Sequence, residues 1–280
     1  MIRLAGTAYW MLFAASFLAM AVWESFRPVL VLSEPAQRRW GRHSILFVVA
    51  TVMTAVIIPL NPVLLAASIE GTHYGLLSRP WLPLSVRCLL AVLIMDLMKY
   101  ASHRALHSFH FLWRVHEIHH SDRELDVSTS VRAHPIEVLF FHATNLLAVA
   151  ILAPPPVAVL VTQLLSVFES FFSHANALLP ERLQTVLGWF VYTSNTHRVH
   201  HTPDVRLQNT NYGDIFPWWD MLFRTYSPPL GRGEAVAFGV AEDQSGPHPS
   251  AGFLIRQPFL FQSRSPQPRS VVVGQRTGMD

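Results

Sequence analysis

Long apolar segments alternate with short polar segments along this chain of 280 residues. Roughly 20 consecutive apolar residues are enough for a helix to cross the hydrocarbon core of a bilayer. The hydrophobic pattern therefore predicts membrane helices. The three segments that it assigns as individual spans are residues 7–23, 45–67 and 84–98.

Prolines divide the apolar pattern at two places. Pro59, Asn61 and Pro62 fall inside the second segment, where they are expected to kink the helix or end it early. Two shorter segments, residues 138–153 and 157–172, are separated only by three consecutive prolines. This arrangement predicts a tight helical hairpin that enters the membrane and returns to the same side, whether or not it crosses fully.

The composition agrees with an all-α integral membrane bundle of about four to five membrane segments, including the hairpin. Hydrophobic residues make up 51% of the chain and charged residues only 14%, whereas roughly 25% is typical of soluble domains. Cys88 is the only cysteine, which excludes a disulfide framework, a cysteine-ligated zinc site and an iron–sulfur cluster held by this chain alone. No basic and aromatic pattern typical of nucleic-acid binding is found.

Charge placement predicts the orientation in the membrane. Residues 27–42 contain four arginines, whereas the loop between the second and third segments contains only Arg79. Positive residues favour the cytoplasmic side, so the histidine-rich segments that follow the third span and the hairpin are both expected there. Lys99 is the only lysine among 21 basic residues, which indicates a bacterial protein and hence the bacterial inner membrane.

Eight histidines form three closely spaced clusters. Residues at positions i, i+3 and i+4 share one face of a helix, so each cluster directs two or three imidazoles to one place. Eight imidazoles exceed the four ligands of a single zinc site and predict two metal ions, although imidazole alone does not select between iron, zinc, copper and nickel. The clusters are His103 and His107; His116, His119 and His120; and His197, His200 and His201.

Two other functions are compatible with parts of this pattern. His116, Glu117 and His120 match the His-Glu-x-x-His motif of zinc proteases, in which the glutamate acts as base. An intramembrane zinc protease would, however, leave most of the clustered histidines without a role. A non-catalytic membrane protein that binds a metal or a lipid is the second alternative.

The ordered set of histidine motifs resembles the fatty acid hydroxylase and sterol desaturase superfamily of integral-membrane di-iron oxygenases. The resemblance covers roughly residues 85–226. It implies that the eight histidines bind two irons, and His174 matches a further histidine that ligates iron in some members. Some relatives carry another histidine where this chain has Ser170, so Glu169, Asn176 or water is left to complete the ligand shell. The flanking segments that share the resemblance are residues 112–116, 120–122, 132–137 and 211–223.

The resemblance implies an O2-dependent enzyme that hydroxylates or desaturates a lipid, such as a sterol-like or fatty acyl substrate, with no catalytic residue beyond the metal ligands. It implies non-haem iron as cofactor and no haem or flavin in this chain. Because no dinucleotide-binding motif is present, we expect electrons from a ferredoxin or a small cytochrome with its reductase. The arginines expected to dock this acidic donor are Arg104, Arg114, Arg123, Arg132, Arg198 and Arg206.

The predicted organisation has three parts. Residues 1–80 form N-terminal membrane helices, residues 81–230 form the catalytic region with a cytosolic helical cap, and residues 231–280 form a mobile or disordered tail. The isolated histidines His43, His73, His110 and His248 are expected to be hydrogen-bonded residues at the membrane surface. His134 and His142 are expected to support the ligands or to pack.

Overall fold

The computed structural model describes residues 2–229, 237–240 and 247–260, with the side chains of residues 2–5 excepted. Over these residues the chain is helical, and its only β-type contact is a single bridge between Pro28 and Ala177. The predicted all-α fold is confirmed. The α-helices are α1 (Ile2–Phe26), α2 (Ala36–Ile57), α3 (Pro62–Ile69), α4 (Leu84–Ser108), α5 (His110–His120), α6 (Pro135–Leu152), α7 (Pro156–His174), α8 (Glu181–Leu187), α9 (Ser194–His200), α10 (Val205–Gln208), α11 (Trp218–Phe223) and α12 (Ala251–Arg256).

Four helical segments are long and apolar enough to cross a membrane: Gly6–Phe26, Ala36–Ile69, Pro135–Leu152 and Pro156–His174. The third predicted span lies in α4, which has 25 residues and a length of about 38 Å. It is not among the four because Arg87, Asp96 and Lys99 interrupt its apolar character. α4 packs against both α6 and α7, while α1 packs on α7 and α2 on α6.

The two proline-marked positions behave as predicted. α2 ends at Ile57 and α3 begins at Pro62, where the Asn61 side chain accepts a hydrogen bond of 2.8 Å from the Val63 amide. The turn between α6 and α7 begins at Ala153, which has a left-handed φ of 46°. Gly75 packs against this turn so closely that an added Cβ would lie 2.4 Å from the Ala153 Cβ. Only glycine allows this contact, which holds the hairpin tip.

Part of the segment predicted to be a mobile tail is folded. Ser250 caps α12, and the helix buries Ala251 and Leu254 against Leu46 and Ile118. These apolar contacts fix residues 247–260 to the bundle, which corrects the prediction for that stretch. The remainder of the predicted tail, residues 231–236, 241–246 and 261–280, lies outside the described residues.

Candidate metal centre

All nine histidines predicted to bind metal meet at one end of the bundle, in two groups. Within each group one ligand atom per residue lies within 4.8 Å of every other. We call them the five-histidine group and the four-histidine group. The first consists of His103, His107, His116, His120 and His200, and the second of His119, His174, His197 and His201.

Helical periodicity explains how neighbouring residues reach different groups. His119 and His120 are adjacent on α5, and adjacent helical positions point about 100° apart. His119 therefore enters the four-histidine group, while His120 and His116, one turn earlier, enter the five-histidine group. His200 and His201 at the end of α9 divide in the same way.

The Nδ1 atoms of several of these rings are held from outside the groups. Nδ1 of His103 lies 2.8 Å from the Tyr212 carbonyl oxygen, and Nδ1 of His200 lies 2.7 Å from that of Thr210. A carbonyl oxygen only accepts hydrogen bonds, so Nδ1 carries the proton and Nε2 keeps a free lone pair.

Two rings of the four-histidine group, and His116 of the five-histidine group, are held in the same way. Nδ1 of His119 donates to the Arg132 carbonyl oxygen at 3.2 Å, and Nδ1 of His174 donates to that of Ser170 at 2.7 Å. Nδ1 of His116 lies 2.8 Å from Oε1 of the buried Glu137. Such outer hydrogen bonds orient metal-binding imidazoles and increase their basicity.

The inward-facing nitrogens approach one another at distances that neutral imidazoles do not favour. Nε2 of His103 lies 3.0 Å from Nε2 of His116 and 3.1 Å from Nε2 of His200. Nε2 of His174 lies 3.1 Å from Nε2 of His119. Two ligands about 2.1 Å from one ion and 90° apart would be about 3.0 Å apart. The opposed lone pairs therefore fit a shared cation and repel each other without one.

Further ring nitrogens are buried without any hydrogen-bond partner among the described residues. They are Nε2 of His107, both nitrogens of His120, and Nδ1 of His197 and His201. A buried nitrogen without a partner costs free energy. Five such atoms in two compact groups indicate that a bound ion satisfies part of this demand, so the donor set fits metal ions.

Burial keeps these rings in the neutral form that binds metals. It lowers the pKa of His119, His120 and His201 well below the ordinary value of 6.5. Burial, assisted by the neighbouring His116, lowers the pKa of His200 to about 3. Metal ligation requires unprotonated imidazole, so the cluster is ready to bind metal at neutral pH without releasing protons.

Arg132 supports α5 from behind the metal centre. Its Nε donates to the Ile118 carbonyl oxygen at 2.9 Å, and its Nη2 donates to Ser121 Oγ at 2.8 Å. Its own carbonyl oxygen holds His119. Arg132 is 1% exposed, which corrects its assignment to a docking surface. Arg198 is buried as well and donates to Asn176 Oδ1 at 3.1 Å.

Several other sequence-based expectations can be compared with their positions. His43 is completely buried and hydrogen-bonded to Ser128 Oγ at 2.7 Å, so the prediction of a surface histidine is wrong. His134 caps α6 by accepting a hydrogen bond from the Ile136 amide, and His142 lies 2.9 Å from the Leu60 carbonyl oxygen. Both fit the expected packing roles.

The residues considered for completing the ligand shell lie outside both groups. The Asn176 side chain is engaged by the backbone of Leu30 and by Arg198. Glu169 is buried with its Oε1 unpartnered among the described residues, but it joins neither group. Glu117, the base of the zinc-protease alternative, also belongs to neither group.

Two adjoining cavities connect the metal centre with the bundle interior. An apolar cavity of about 620 Å³ lies between α1, α2, α4, α6 and α7. A cavity of about 230 Å³ borders five of the histidines, and the two cavities share wall residues that include Lys99, Phe141 and Asp214. The size and apolar lining of the larger cavity suit a lipid chain.

Sequence comparisons give consistent relatives. The fatty acid hydroxylase family matches residues 88–225. An ornithine lipid hydroxylase of Rhizobium tropici is 29% identical over 184 residues, which are 65% of this chain and 53% of that protein. An alkylglycerol monooxygenase of Caenorhabditis elegans is 31% identical over 131 residues, or 47% of this chain and 25% of that protein.

A methylsterol monooxygenase 2-1 of Arabidopsis thaliana is 27% identical over 156 residues, or 52% of this chain and 57% of that protein. The chain therefore spans about half of the ornithine lipid and methylsterol enzymes and a quarter of the alkylglycerol enzyme. No solved structure matches this chain significantly.

Proposed function

Because residues 88–225 of this chain belong to the fatty acid hydroxylase family, we propose that it is a membrane-bound, O2-dependent hydroxylase of a lipid. The activities for which its relatives are named support hydroxylation over desaturation, since they are a lipid hydroxylase and two monooxygenases. The observation that carries the proposal is the pair of histidine groups with opposed Nε2 lone pairs beside an apolar cavity.

Two iron ions are the proposed cofactors, one for each histidine group. Imidazole accepts several transition metals, and iron is favoured because zinc has no redox chemistry. Bound iron would supply the redox chemistry by which O2, with electrons from an external donor, oxidises an unactivated C–H bond. His103, His107, His116, His120 and His200 would hold one ion, and His119, His174, His197 and His201 the other.

The protein itself orients the metal-binding rings, positions the substrate and excludes water. Backbone carbonyls and Glu137 fix the rings from outside, so the inner lone pairs keep their directions. The apolar cavity would accept a lipid chain from the bilayer and bring one carbon to the smaller cavity. Holding a substrate against the reactive centre accounts for a large part of many enzymatic rate enhancements.

Electrons are proposed to come from a separate protein, a ferredoxin or a small cytochrome with its reductase. Four of the six arginines expected at its docking face remain candidates, because Arg132 and Arg198 are buried. Arg104 and Arg206 are exposed. The loop charges support a metal centre that faces the cytoplasm of a bacterial cell.

The zinc-protease alternative fits the geometry less well. Its two histidines are accompanied by three more in the same group, and Glu117 lies outside that group. Metal analysis separates the possibilities: about two irons per chain supports the hydroxylase, and a single zinc supports the protease. Turnover by iron-loaded protein in the presence of a donor system should insert one 18O atom from 18O2 into a membrane lipid. Absence of label in any lipid, with both irons bound and the donor active, would contradict the proposed function.

A further inference from the structure

Lys99 occupies the junction between the apolar cavity and the metal centre. It lines both cavities and precedes His103 by one turn of α4, or about 6 Å along the helix axis. Its partner Asp214 also lines both cavities and follows Tyr212, whose carbonyl oxygen holds His103, by two residues. A lipid that reaches from the apolar cavity to the metal centre would therefore lie against a wall that contains this pair.

The hydrogen bonds of Lys99 leave one donor free. Its Nζ donates to Ser166 Oγ at 2.5 Å and to Asp214 Oδ1 at 2.7 Å. An ammonium group has three hydrogens, and the side chain retains 36% of its exposure. One N–H is therefore available to a molecule in the cavity.

The charge of the pair restricts what that molecule carries. Asp214 already balances the positive charge of Lys99 at 2.7 Å, so a carboxylate or phosphate would bring an uncompensated charge into a largely apolar space. A neutral oxygen, such as a hydroxyl or a carbonyl, accepts the free hydrogen without that cost. Hydrogen bonds from charged donors are the stronger ones in proteins.

We infer that Lys99, held by Asp214, is a positioning residue that binds a neutral oxygen group of the lipid substrate. The inference rests on the proposed function and adds the class and orientation of the substrate. The apolar tail would lie in the large cavity, and the oxygen group would lie at the junction. The carbons nearest the oxygen group would then face the metal centre, so oxidation is expected close to the polar end of the lipid.

Competition binding tests the proposed role of Lys99 without requiring turnover. Purified full-length protein in a fixed amount of detergent is given tritiated 1-hexadecanol, and unlabelled 1-hexadecanol, n-hexadecane and hexadecanoate compete. We expect the alcohol to compete about tenfold better than the alkane, as one hydrogen bond to a charged group predicts. The alcohol should also compete better than the carboxylate. Equal competition by alkane and alcohol, or strongest competition by hexadecanoate, would overturn the inference.

Two variants and a matched control complete the test. Lys99→Met should lower the affinity for the alcohol about tenfold and leave that for the alkane unchanged. Lys99→Met with Asp214→Asn removes both charges and covers the case in which the single variant does not fold. Gln163→Leu alters a polar residue that lines only the apolar cavity and should keep the wild-type ratio. If the Lys99 variants still prefer the alcohol to the alkane, or if only Gln163→Leu loses this preference, the proposed role of Lys99 is contradicted.

The position of oxidation gives a second readout. Tandem mass spectrometry of the product should locate the new hydroxyl near the polar end in the wild type and at scattered positions in Lys99→Met. Selective alcohol binding without any oxidised product would contradict the proposed function while supporting the proposed role of Lys99. If a folded Lys99 variant places the new hydroxyl at the same carbon as the wild type, the proposed role of Lys99 is contradicted while the proposed function is supported.

Discussion

Two buried polar clusters lie side by side in this protein and differ in how they are completed. In the arginine cluster, Arg39 donates to Asp126 at 2.8 Å and to both carboxylate oxygens of Asp122 at 2.9 and 3.1 Å. No polar side-chain atom of these three residues lacks a hydrogen-bond partner. In the histidine cluster, five nitrogens lack one among the described residues. The chain itself supplies every hydrogen-bond partner in the arginine cluster, which we call the closed cluster. It leaves nitrogens of the histidine cluster without a partner, as expected of a site that binds ions, and we call this the open cluster.

Burial of polar groups is therefore not by itself a sign of function. His120 and Asp122 are two residues apart and equally enclosed, yet one belongs to the open cluster and the other to the closed one. Acceptors outnumber donors among the inward-facing histidine nitrogens, whereas the two are balanced around Arg39. The balance of donors and acceptors therefore separates a candidate metal centre from a structural network.

Replacing a histidine of the open cluster should have the largest effect on activity. His119→Ala leaves the four-histidine group with three rings, and we expect loss of its metal and of lipid hydroxylation below detection. The effect should exceed the roughly 10–100-fold loss that follows removal of an outer hydrogen bond. Metal content by mass spectrometry and product formation measure it.

His110→Ala is the matched control for this variant, because His110 is exposed at the start of the same helix. It should keep wild-type metal content and turnover. Normal metal content in His119→Ala would remove His119 from the ligand set.

Breaking the closed cluster should instead lower stability. Asp122→Asn leaves the buried Arg39 with reduced compensation, and we expect the free energy of unfolding to fall by about 3–5 kcal/mol. Asp204→Asn breaks an exposed pair with Arg206 and should leave the unfolding temperature almost unchanged, because exposed ion pairs contribute little to stability. Thermal unfolding of metal-free protein, followed by tryptophan fluorescence, compares the two. Similar unfolding temperatures for both variants would show that the buried network contributes little.

A milder change distinguishes the two histidine groups. Glu137→Gln removes the negative charge beside His116 Nδ1, and the metal affinity of the five-histidine group should fall roughly 10–100-fold. The four-histidine group, whose His119 is held by a backbone carbonyl, serves as an internal control. Metal titration of the variant should show a first ion bound as tightly as in the wild type and a second ion bound more weakly, and weakening of both would contradict the separation of the groups.

The smallest effect concerns pH and separates the clusters by their titration ranges. The lowered pKa of His200 keeps it neutral in the folded protein to about pH 3, whereas the unfolded chain binds protons below 6.5. Stability of the metal-free protein is therefore expected to fall as pH decreases from 6.5. His200→Ala should reduce this slope, and unchanged unfolding temperature between pH 7 and 5 in the wild type would contradict it.

Asp122 defines a second, more acidic range. Burial acts to raise its pKa, but the charges of Arg39 and Arg132 lower it more, so the pKa lies well below its ordinary value of 3.8. The stability that this carboxylate contributes is present above pH 3.8 and is lost as pH falls below it. Asp122→Asn should remove this second decrease, measured by the same unfolding experiment.

The proximity of the histidines could be predicted from the sequence because their spacing is a local property of helices. His116, His119 and His120 follow from the i, i+3 and i+4 positions of one helix, and the hairpin brings His174 to the same end. The helical fold class and the helix ends near Pro62 and Ala153 also follow from the local sequence, because prolines and apolar runs act on adjacent residues.

Contacts between distant segments explain what the sequence could not predict. Arg39 and Asp122 are in contact although they are 83 positions apart in the sequence, so nothing near either residue distinguishes a buried pair from two surface charges. The same holds for Arg132 and Arg198, which were expected at a docking face. Residue type does not reveal that the backbone carbonyls of Tyr212 and Thr210 hold the histidines, because every residue has a backbone carbonyl.

The short helices α5 and α9 each supply ligands to both histidine groups, and this sharing links the two ions during assembly. Filling one group would fix the rotation of both helices, and that rotation presents the remaining rings to the second group. The second ion then meets a preorganised set of ligands at a smaller entropic cost. Loading is therefore expected to be cooperative, with the half-loaded protein a minor species throughout a metal titration.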